Sequence, residues 1–411
     1  MFWTTTWLHP SDVEELMAPV STSPNGTEQY LWARWLWLRA LGLIFLSPFY
    51  SLAFQIRGLI GEQGILPADQ YLTVARSYLG PFRALWYAPT VFWISSSDTV
   101  LMSVVVAGLI VSALLTFNIR PRLMIGVAAI LFLSCIVALQ DFSSYQSDGM
   151  LMEAGFLSLF FAPRGTRPGL GAADPPSPFS LFMLRWEWLR IYFESGVVKL
   201  ASGDPHWRNL TAMDDYYQNG PLPSWPGWYV QHLPHWYHAG TVILTLAVEL
   251  LVVWAVFTPR PFRVACFGVV TALQIGIIAT ANYAFLNYIV LCLGILLLDD
   301  RVLTRLGLRF VPAMRRTLDA RFVWRKKIET GILAVALYAT VVAFIGAGLP
   351  LVLRFPSTIL DPFRISNAYG LFAVMTPERY ELEFQGSNDG TSWTAYPFRY
   401  KPQNIYERPG I

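Results

Sequence analysis

Long apolar runs are the feature that most constrains how this chain can fold. A helix needs roughly twenty residues, at about 1.5 Å per residue, to cross the hydrocarbon core of a bilayer. A helix also satisfies all of its own backbone N–H and C=O groups, as lipid requires. The sequence therefore predicts membrane-crossing helices near 31–56, 99–117, 122–140, 238–257, 261–280, 283–298 and 330–353.

The composition supports a lipid environment for much of the chain. Only 14% of the 411 residues are charged and 54% are hydrophobic, with a mean hydropathy of +0.42. Soluble globular domains carry about 25% charged residues, so polar surface is too scarce here for a soluble protein. The net charge of +3 comes with basic residues concentrated in a few loops between predicted helices, and we therefore expect no nucleic-acid partner.

Two further segments, 147–163 and 179–200, have the length and periodicity of helices but carry charges. Counting them with the apolar runs gives about nine transmembrane helices.

After Pro350 the pattern changes. Residues 379–385 alternate in the way that is typical of a strand with one covered face, and 393–400 is a plausible return strand beside it. The predicted fold class is an all-α polytopic membrane bundle with a small C-terminal extramembrane β segment.

Arginine and lysine placement predicts the orientation, because cytoplasmic loops hold an excess of both. With the N-terminus inside, the cytoplasmic loops would hold Arg120, Arg122, Arg164, Arg167, Arg260, Arg263 and the basic stretch 299–329, which includes Arg315 and Arg316. The outside loops would hold Asp141, Asp148, Asp204, Asp214 and Asp215. This alternation puts the C-terminus on the extracytoplasmic side.

The predicted organisation has three parts: an N-terminal tail over 1–29, a transmembrane helical domain over 30–356 and an extracytoplasmic β segment over 357–411. Within the helical domain, 57–97 is rich in Gly, Pro and aromatic residues, and we expect short helices at the membrane interface there. The loop 201–237 is expected to be extracytoplasmic.

Charged side chains inside the predicted helices are candidates for a functional site, because a charge at bilayer depth is costly. Glu187, Arg190 and Glu194 are spaced i, i+3 and i+7, which puts them on one face of a helix. The other candidates at predicted bilayer depth are Glu153, Lys199, Glu249 and Gln274. Two interpretations stay open: a polar chamber between helices, or paired charges that lock helix packing.

The loop from Gly203 to His238 is dense in Trp, Tyr, His and Pro. Loops of this length are usually functional or disordered, and the aromatic content argues against disorder. Its histidines suggest a metal site, but no Cys or carboxylate is set at a matching interval, so we expect no metal and no cofactor. Cys135, Cys266 and Cys292 lie in apolar runs and are interpreted as packing residues.

Several stretches resemble the lipase maturation factor family. They are LWLRALGLIFLSPFYSLAFQIRGLIGEQGILPA over 36–68, SDGMLMEAGFLSLFFAP over 147–163, SGVVKLASGDPHWRNLTAMDDYYQNGPLPSWPGWYVQHLP over 195–234, and YGLFAVMTPERYELEFQGSNDGTSWTAYPFRYKP over 369–402. They are spread over most of the chain in the family's order. The resemblance implies a multi-span membrane protein, whose eukaryotic relatives lie in the endoplasmic reticulum and help lipases to fold and dimerise.

The resemblance also implies that the loop contacts client proteins. The residues that would do so are Asp204, His206, Trp207, Arg208, Trp225, Trp228, Tyr229 and His232. Eukaryotic members carry a Cys at the position of His206, which puts loop thiol chemistry in doubt here. The compact length and the lack of cysteines in outside loops favour a bacterial inner membrane, with the endoplasmic reticulum membrane as the location in a eukaryote.

A second resemblance concerns 195–207, which is similar to the segment of the vitamin K-dependent carboxylase family, within an HTTM-like membrane superfamily, that carries a lysine base. It implies Lys199 as the base, with Glu194, Glu187 and Glu153 around it, acting on a lipid or quinone-type partner. The other interpretation of Lys199 is a side chain that extends to the interface or pairs with Glu194.

These patterns favour a non-enzymatic, chaperone-like maturation factor that assists a secreted, lipase-like client through extracytoplasmic loops. The alternative is a membrane enzyme of the carboxylase-like class. A transporter is disfavoured, since the paired broken helices of inverted repeats are not evident. The partners implied are the lipid bilayer and the client, and the oligomeric state is left open.

Overall fold

The computed structural model describes residues 28–143, 145–220, 222–313, 320–398 and 406–408. Most of the predicted tail 1–29 lies outside these residues. So do Arg315, Arg316 and the end of the predicted return strand at 399–400.

Helices make up most of the described chain. In the first half they are α1 (Leu31–Ile60), α2 (Ala68–Leu79), α3 (Pro81–Tyr87), α4 (Asp98–Thr116), α5 (Pro121–Ala138), α6 (Gln146–Phe161) and α7 (Pro178–Ala201). In the second half they are α8 (Pro205–Arg208), α9 (Tyr216–Asn219), α10 (Trp225–Gln231), α11 (His235–Leu250), α12 (Arg260–Thr280), α13 (Leu286–Gly294), α14 (Asp300–Arg305), α15 (Ala320–Ile345) and α16 (Leu351–Leu360). Short 3-10 turns cover Val91–Trp93, Gln140–Phe142, Val252–Phe257, Ile295–Leu297, Gly346–Gly348 and Asp361–Phe363.

Within the described ranges, 6 helices are long and apolar enough to cross a membrane: Leu31–Ile60, Asp98–Thr116, Pro121–Ala138, His235–Phe257, Arg260–Thr280 and Val323–Ile345. The protein is therefore a multi-pass helical membrane protein, and the predicted number of about nine spans is not confirmed. The remaining predicted spans fall on α6 and α7, which carry charges, and on Leu286–Leu297, which is apolar but short.

At one end of the bundle, hydrogen bonds and ion pairs join several loops and helix ends to one another. The Arg34 guanidinium donates to the carbonyls of Leu170, Gly171 and Asp174 at 2.8, 2.9 and 2.6 Å. Further contacts at this end join Arg122 to Ala162, Arg122 and Arg164 to Glu329, Arg260 to Asp299, and Arg263 to Glu28 and Leu297. We call this the basic end, and its loops are those in which sequence analysis predicted the arginine excess.

The segment 57–97 and the loop 201–237 lie together with other turns at the opposite end. Gln140 donates to the carbonyl of Leu66 at 3.2 Å, and the Ser224 hydroxyl donates to the carbonyl of Ala279 at 2.8 Å. We call this the aromatic end. Helices α6 and α7 and the segment Leu286–Leu297 run between the two ends beside the longer apolar helices.

The prediction of one continuous helix over 330–353 is wrong after Ile345. Helix α15 stops at Ile345, and α16 starts anew at Leu351 after the 3-10 turn Gly346–Gly348. The glycines favour a break and Pro350 stands at the N-cap of α16, so one straight helix is not formed.

The predicted strand over 379–385 is much shorter in the structure. Strands β1 (Phe384–Gly386) and β2 (Thr394–Tyr396) pair antiparallel, with Phe384 opposite Tyr396. The face expected to be covered is open, because Tyr380, Leu382 and Phe384 are 87%, 79% and 64% exposed. Alternation had predicted burial against a partner, and no neighbouring element among the described residues covers this face.

Helices α1 and α4 approach closely through glycines. A Cβ atom added at Gly42 would lie 2.5 Å from Thr116 Oγ1 and 2.7 Å from the Thr116 nitrogen, and one at Gly108 would meet the ring of Phe49. Small residues at such crossings let helix backbones pack tightly in membranes, where van der Waals contact is a main attraction.

We expect Gly42→Ala to lower the free energy of unfolding by about 1–3 kcal/mol, because the added methyl overpacks the α1–α4 contact. Gly58→Ala is the matched control on the same helix, since a Cβ there meets nothing within 4 Å. Denaturation of the purified proteins in the same detergent measures both. Equal stability of the two variants would show that the close approach is not needed.

Candidate functional site

Three charged side chains meet inside the bundle. Arg190 of α7 forms an ion pair with Glu153 of α6, and its Nη1 lies 3.8 Å from Glu194 Oε1, one turn along its own helix. Each residue is at most 2% exposed. Of the three residues that the i, i+3 and i+7 spacing put on one face, Arg190 and Glu194 are paired here and Glu187 is not, while Glu153 of the neighbouring helix supplies a second carboxylate. We call Arg190, Glu153 and Glu194 the ion cluster.

The segment after α16 returns into the bundle and joins this ion cluster. Tyr369 donates its backbone N–H to Glu194 at 2.7 Å and its hydroxyl to Glu153 at 2.8 Å. Asn367 donates its side-chain amide to Glu153 at 3.1 Å and accepts from Arg190 at 2.7 Å on its carbonyl. The cluster therefore binds two helices and the start of the C-terminal segment to one another.

Glu187 does not take part in this hydrogen bonding. It is completely buried on α7, and neither of its carboxyl oxygens has a hydrogen-bond partner among the residues that the structure describes. Hydrogen bonding therefore does not explain why a carboxyl group is buried at this position.

Lys199 pairs with a different carboxylate from the one that sequence analysis considered. Its Nζ lies 2.7 and 2.8 Å from the two oxygens of Glu249 on α11, so the partner is Glu249 and not Glu194. The ammonium also lies 5.1 Å from the centre of the Trp207 ring, in a cation–π arrangement.

A cavity of about 460 Å³ lies beside this pair, between α7, α11, α12 and α13 and beneath the loop. Lys199 and Glu249 line it, whereas Glu153, Glu187 and Glu194 do not. Of the four residues named for the enzyme alternative, only Lys199 therefore lies at the cavity. Glu153 and Glu194 belong to the ion cluster, and Glu187 lies next to it.

Asp204 and Trp207 of the loop are internal. Trp207 is 1% exposed and donates its indole N–H to the carbonyl of Phe372 at 3.0 Å. Asp204 caps α8 and accepts the Met375 N–H at 2.5 Å. Burial alone would raise the pKa of the Asp204 carboxyl, but hydrogen bonds from the Met375 and His206 backbone and from the His206 ring lower that pKa below its usual value.

Several other aromatic residues of the loop lie at the surface. Trp225 and Tyr229 are 38% and 53% exposed, and Trp228 stacks its edge on Tyr229 with ring centres 5.1 Å apart. His232 is exposed, with its ring centre 4.4 Å from that of Trp228. Trp236 is 73% exposed beside them in sequence. We call Trp225, Trp228, Tyr229 and His232, whose rings contact one another, the aromatic patch.

Two of the loop histidines form hydrogen bonds with the same aspartate, Asp214. The Nδ1 atoms of His235 and His238 both lie 3.0 Å from Asp214 Oδ1. In the described part of the chain, no group of three or more His, Cys, Asp and Glu residues is placed to hold a metal ion.

Sequence reasoning missed Asn367, Tyr369, Phe372 and Trp236. The first three follow the last predicted span, where burial in the bundle is not expected, and only the family-like stretch from 369 onward marked the region. Trp236, the second residue of α11, was placed in the predicted extracytoplasmic loop but not among the residues expected to contact a client.

We expect Glu153→Ala to be strongly destabilising, because it leaves Arg190 buried with a weakened partner and releases Tyr369. Breaking one side of a buried ion pair costs about 3–5 kcal/mol. Glu62→Ala, at an exposed glutamate, is the control. The amount of protein in the membrane fraction and its unfolding midpoint in detergent measure the effect, and equal accumulation of both variants would contradict it.

Comparison with protein families identifies two regions of the chain. Residues 32–305 match the lipase maturation factor transmembrane domain, and residues 365–411 match the lipase maturation factor C-terminal domain. The second match begins where the chain returns to the ion cluster. No solved structure matches the chain.

Curated relatives cover most of the chain. Lipase maturation factor 2 of Rattus norvegicus is 29% identical over 91% of this chain and 69% of its own length. Lipase maturation factor 1 of Mus musculus is 31% identical over 90% of this chain and 69% of its own length, and that of Homo sapiens is 28% identical over 97% and 76%. The resemblance inferred from sequence is confirmed, and the chain belongs to the lipase maturation factor family.

Proposed function

We propose that this membrane protein assists the folding of a secreted, lipase-like client that docks on the aromatic patch. The observation that carries the proposal is the exposure of several large aromatic side chains on a loop that is itself fixed to the bundle. Exposed apolar patches rimmed by polar groups mark interaction surfaces, and aromatic residues are enriched at them.

The loop beneath the patch is held by many contacts. Ser224 caps α10 and bonds α12 through the Ala279 carbonyl at 2.8 Å. Arg379 donates to the carbonyls of Gln218 and Gly220 at 3.1 and 2.7 Å, which ties the C-terminal segment to the same loop. A rigid base lowers the entropy that the patch would lose when a client binds.

The other loop residues have different parts in the proposal. Asp204 and Trp207 position the loop against 372–375 and do not contact the client. His206 and Arg208 lie on the short helix α8, where Arg208 is exposed and donates to the Leu200 carbonyl at 2.9 Å. They are the polar groups that we assign to the rim of the client surface.

We infer that the aromatic end is extracytoplasmic, which would let the patch meet a client after export. The support is the gathering of arginines at the basic end, as expected for cytoplasmic loops. By the same argument the C-terminal segment is extracytoplasmic. A bacterial inner membrane is the proposed location, and the endoplasmic reticulum membrane is the equivalent in a eukaryote.

We expect the double variant Trp225→Ala, Tyr229→Ala to lower the yield of active lipase several-fold when it is co-expressed with a secreted lipase of its own organism. Aromatic residues often carry most of the binding energy of an interface, so loss of these two side chains should weaken client binding. Both are exposed, so their removal leaves no buried polar group without a partner. The readout is lipase activity per lipase molecule in the secreted fraction.

Tyr78→Ala is the matched control, because Tyr78 is an 85% exposed aromatic residue on α2, in the segment 57–97. All variants must accumulate in the membrane to the same level. Lipase activity that is unchanged by the double variant, or lowered equally by Tyr78→Ala, would contradict a client role of the patch.

The enzyme alternative depends on one observation, namely that Lys199 lines a cavity. Its close pairing with both oxygens of Glu249 supports a packing role as well. We expect Lys199→Ala to lower stability, because Glu249 is then buried alone, and Lys199→Met combined with Glu249→Leu to recover it.

The function of that double variant separates the two roles. If it is as stable as the wild type and supports full lipase maturation, the pair is structural. If it is stable and maturation is lost, the lysine has a chemical role and the enzyme alternative replaces the packing interpretation.

A further inference from the structure

The cavity beside Lys199 has a side wall that faces outward between α11 and α12. Leu244 of α11 and Val269 of α12 line the cavity and are 51% and 42% exposed. Both helices belong to segments that are long and apolar enough to cross a membrane. The mouth between them therefore faces hydrocarbon, and a molecule dissolved in the bilayer can enter the cavity without passing through water.

The cavity lining includes a buried amide whose oxygen is left unpaired within the described chain. Gln274 is 5% exposed and donates its side-chain N–H to the Tyr192 hydroxyl at 2.8 Å, while its Oε1 has no hydrogen-bond partner in the described chain. Asn287 of α13 also lines the cavity and is 4% exposed. Gln274 lies six residues before Thr280, or about 9 Å from the end of α12, where lipid offers it no hydrogen bond.

The charge of the cavity selects against an ionic ligand. The one ammonium in its lining, Lys199, is engaged by both oxygens of Glu249, and the two charges offset each other. A phosphate or carboxylate brought into this wall would be desolvated without a free cation to pair with. A hydroxyl needs no counter-charge and can donate to Gln274 Oε1 and accept from an amide N–H.

We propose that this cavity binds a neutral, single-chain lipid with a hydroxyl head, which enters from the bilayer between α11 and α12. The hydroxyl bonds the Gln274 and Asn287 amides, and the chain lies along Leu244, Val269 and Ile277. A volume of about 460 Å³ falls within the range of about 300–1,000 Å³ that is usual for small-molecule sites, and it suits one chain but not a two-chain phospholipid.

The test uses the full chain in phosphatidylcholine nanodiscs and three photoreactive probes on the same alkyl chain: a long-chain alcohol, its methyl ether and its phosphate ester. We expect the alcohol to label peptides covering 241–249 and 269–277, with saturation. The ether cannot donate a hydrogen bond and the phosphate is charged, so both should label these peptides several-fold less.

Two glycines on α12 provide a matched pair of variants. A Cβ at Gly276 or at Gly268 meets nothing within 4 Å, but only Gly276 lines the cavity. Gly276→Phe should fill the mouth and reduce alcohol labelling about tenfold, a change of about 1.4 kcal/mol, while Gly268→Phe should label like the wild type. Equal labelling of the two variants overturns the proposal.

Gln274→Met tests the head group. Alcohol labelling should fall about three- to tenfold, as for loss of one hydrogen bond, and ether labelling should not change. Labelling by the phosphate ester as strong as by the alcohol overturns the choice of a neutral ligand, and ether labelling as strong as alcohol labelling overturns the hydroxyl. The outcome is independent of the client proposal, since lipase maturation is not the readout here.

Discussion

The buried ion pair between Arg190 and Glu153 is the interaction on which most of this structure depends. A charge removed from water inside a membrane protein must find its partner within the protein, because lipid offers none. Here the requirement joins α6 to α7, and the remaining oxygens of Glu153 and Glu194 join both helices to Asn367 and Tyr369. The C-terminal segment is thereby anchored inside the bundle instead of following it as a separate appendage.

This anchor explains how the aromatic end is organised. From Tyr369 the chain continues to Phe372, which accepts from Trp207, and to Met375, which donates to Asp204. The loop and the C-terminal segment are therefore laid against each other over the cavity. One set of contacts accounts for the rigid base of the aromatic patch and for the roof of the cavity, although the two surfaces face different environments.

The two proposals assign different chemistry to these surfaces. The aromatic patch is outward and suits a protein surface, whereas the cavity opens towards lipid and ends in neutral hydrogen-bonding groups. Membership of the lipase maturation factor family supports the first proposal through the names of the relatives. The second is carried by the unpaired Oε1 atom of Gln274 and by the exposed cavity-lining residues of α11 and α12.

Sequence alone determined the membrane class, most of the helices and the clustering of arginines, because hydrophobic length and positive charge act locally and can be read residue by residue. It also determined the face that Glu187, Arg190 and Glu194 share, since helical spacing is regular. Partners across the fold could not be read in this way. That Lys199 meets Glu249, that Tyr369 re-enters the bundle and that Trp207 is internal were decided only by tertiary packing, because each contact joins segments that no local pattern relates.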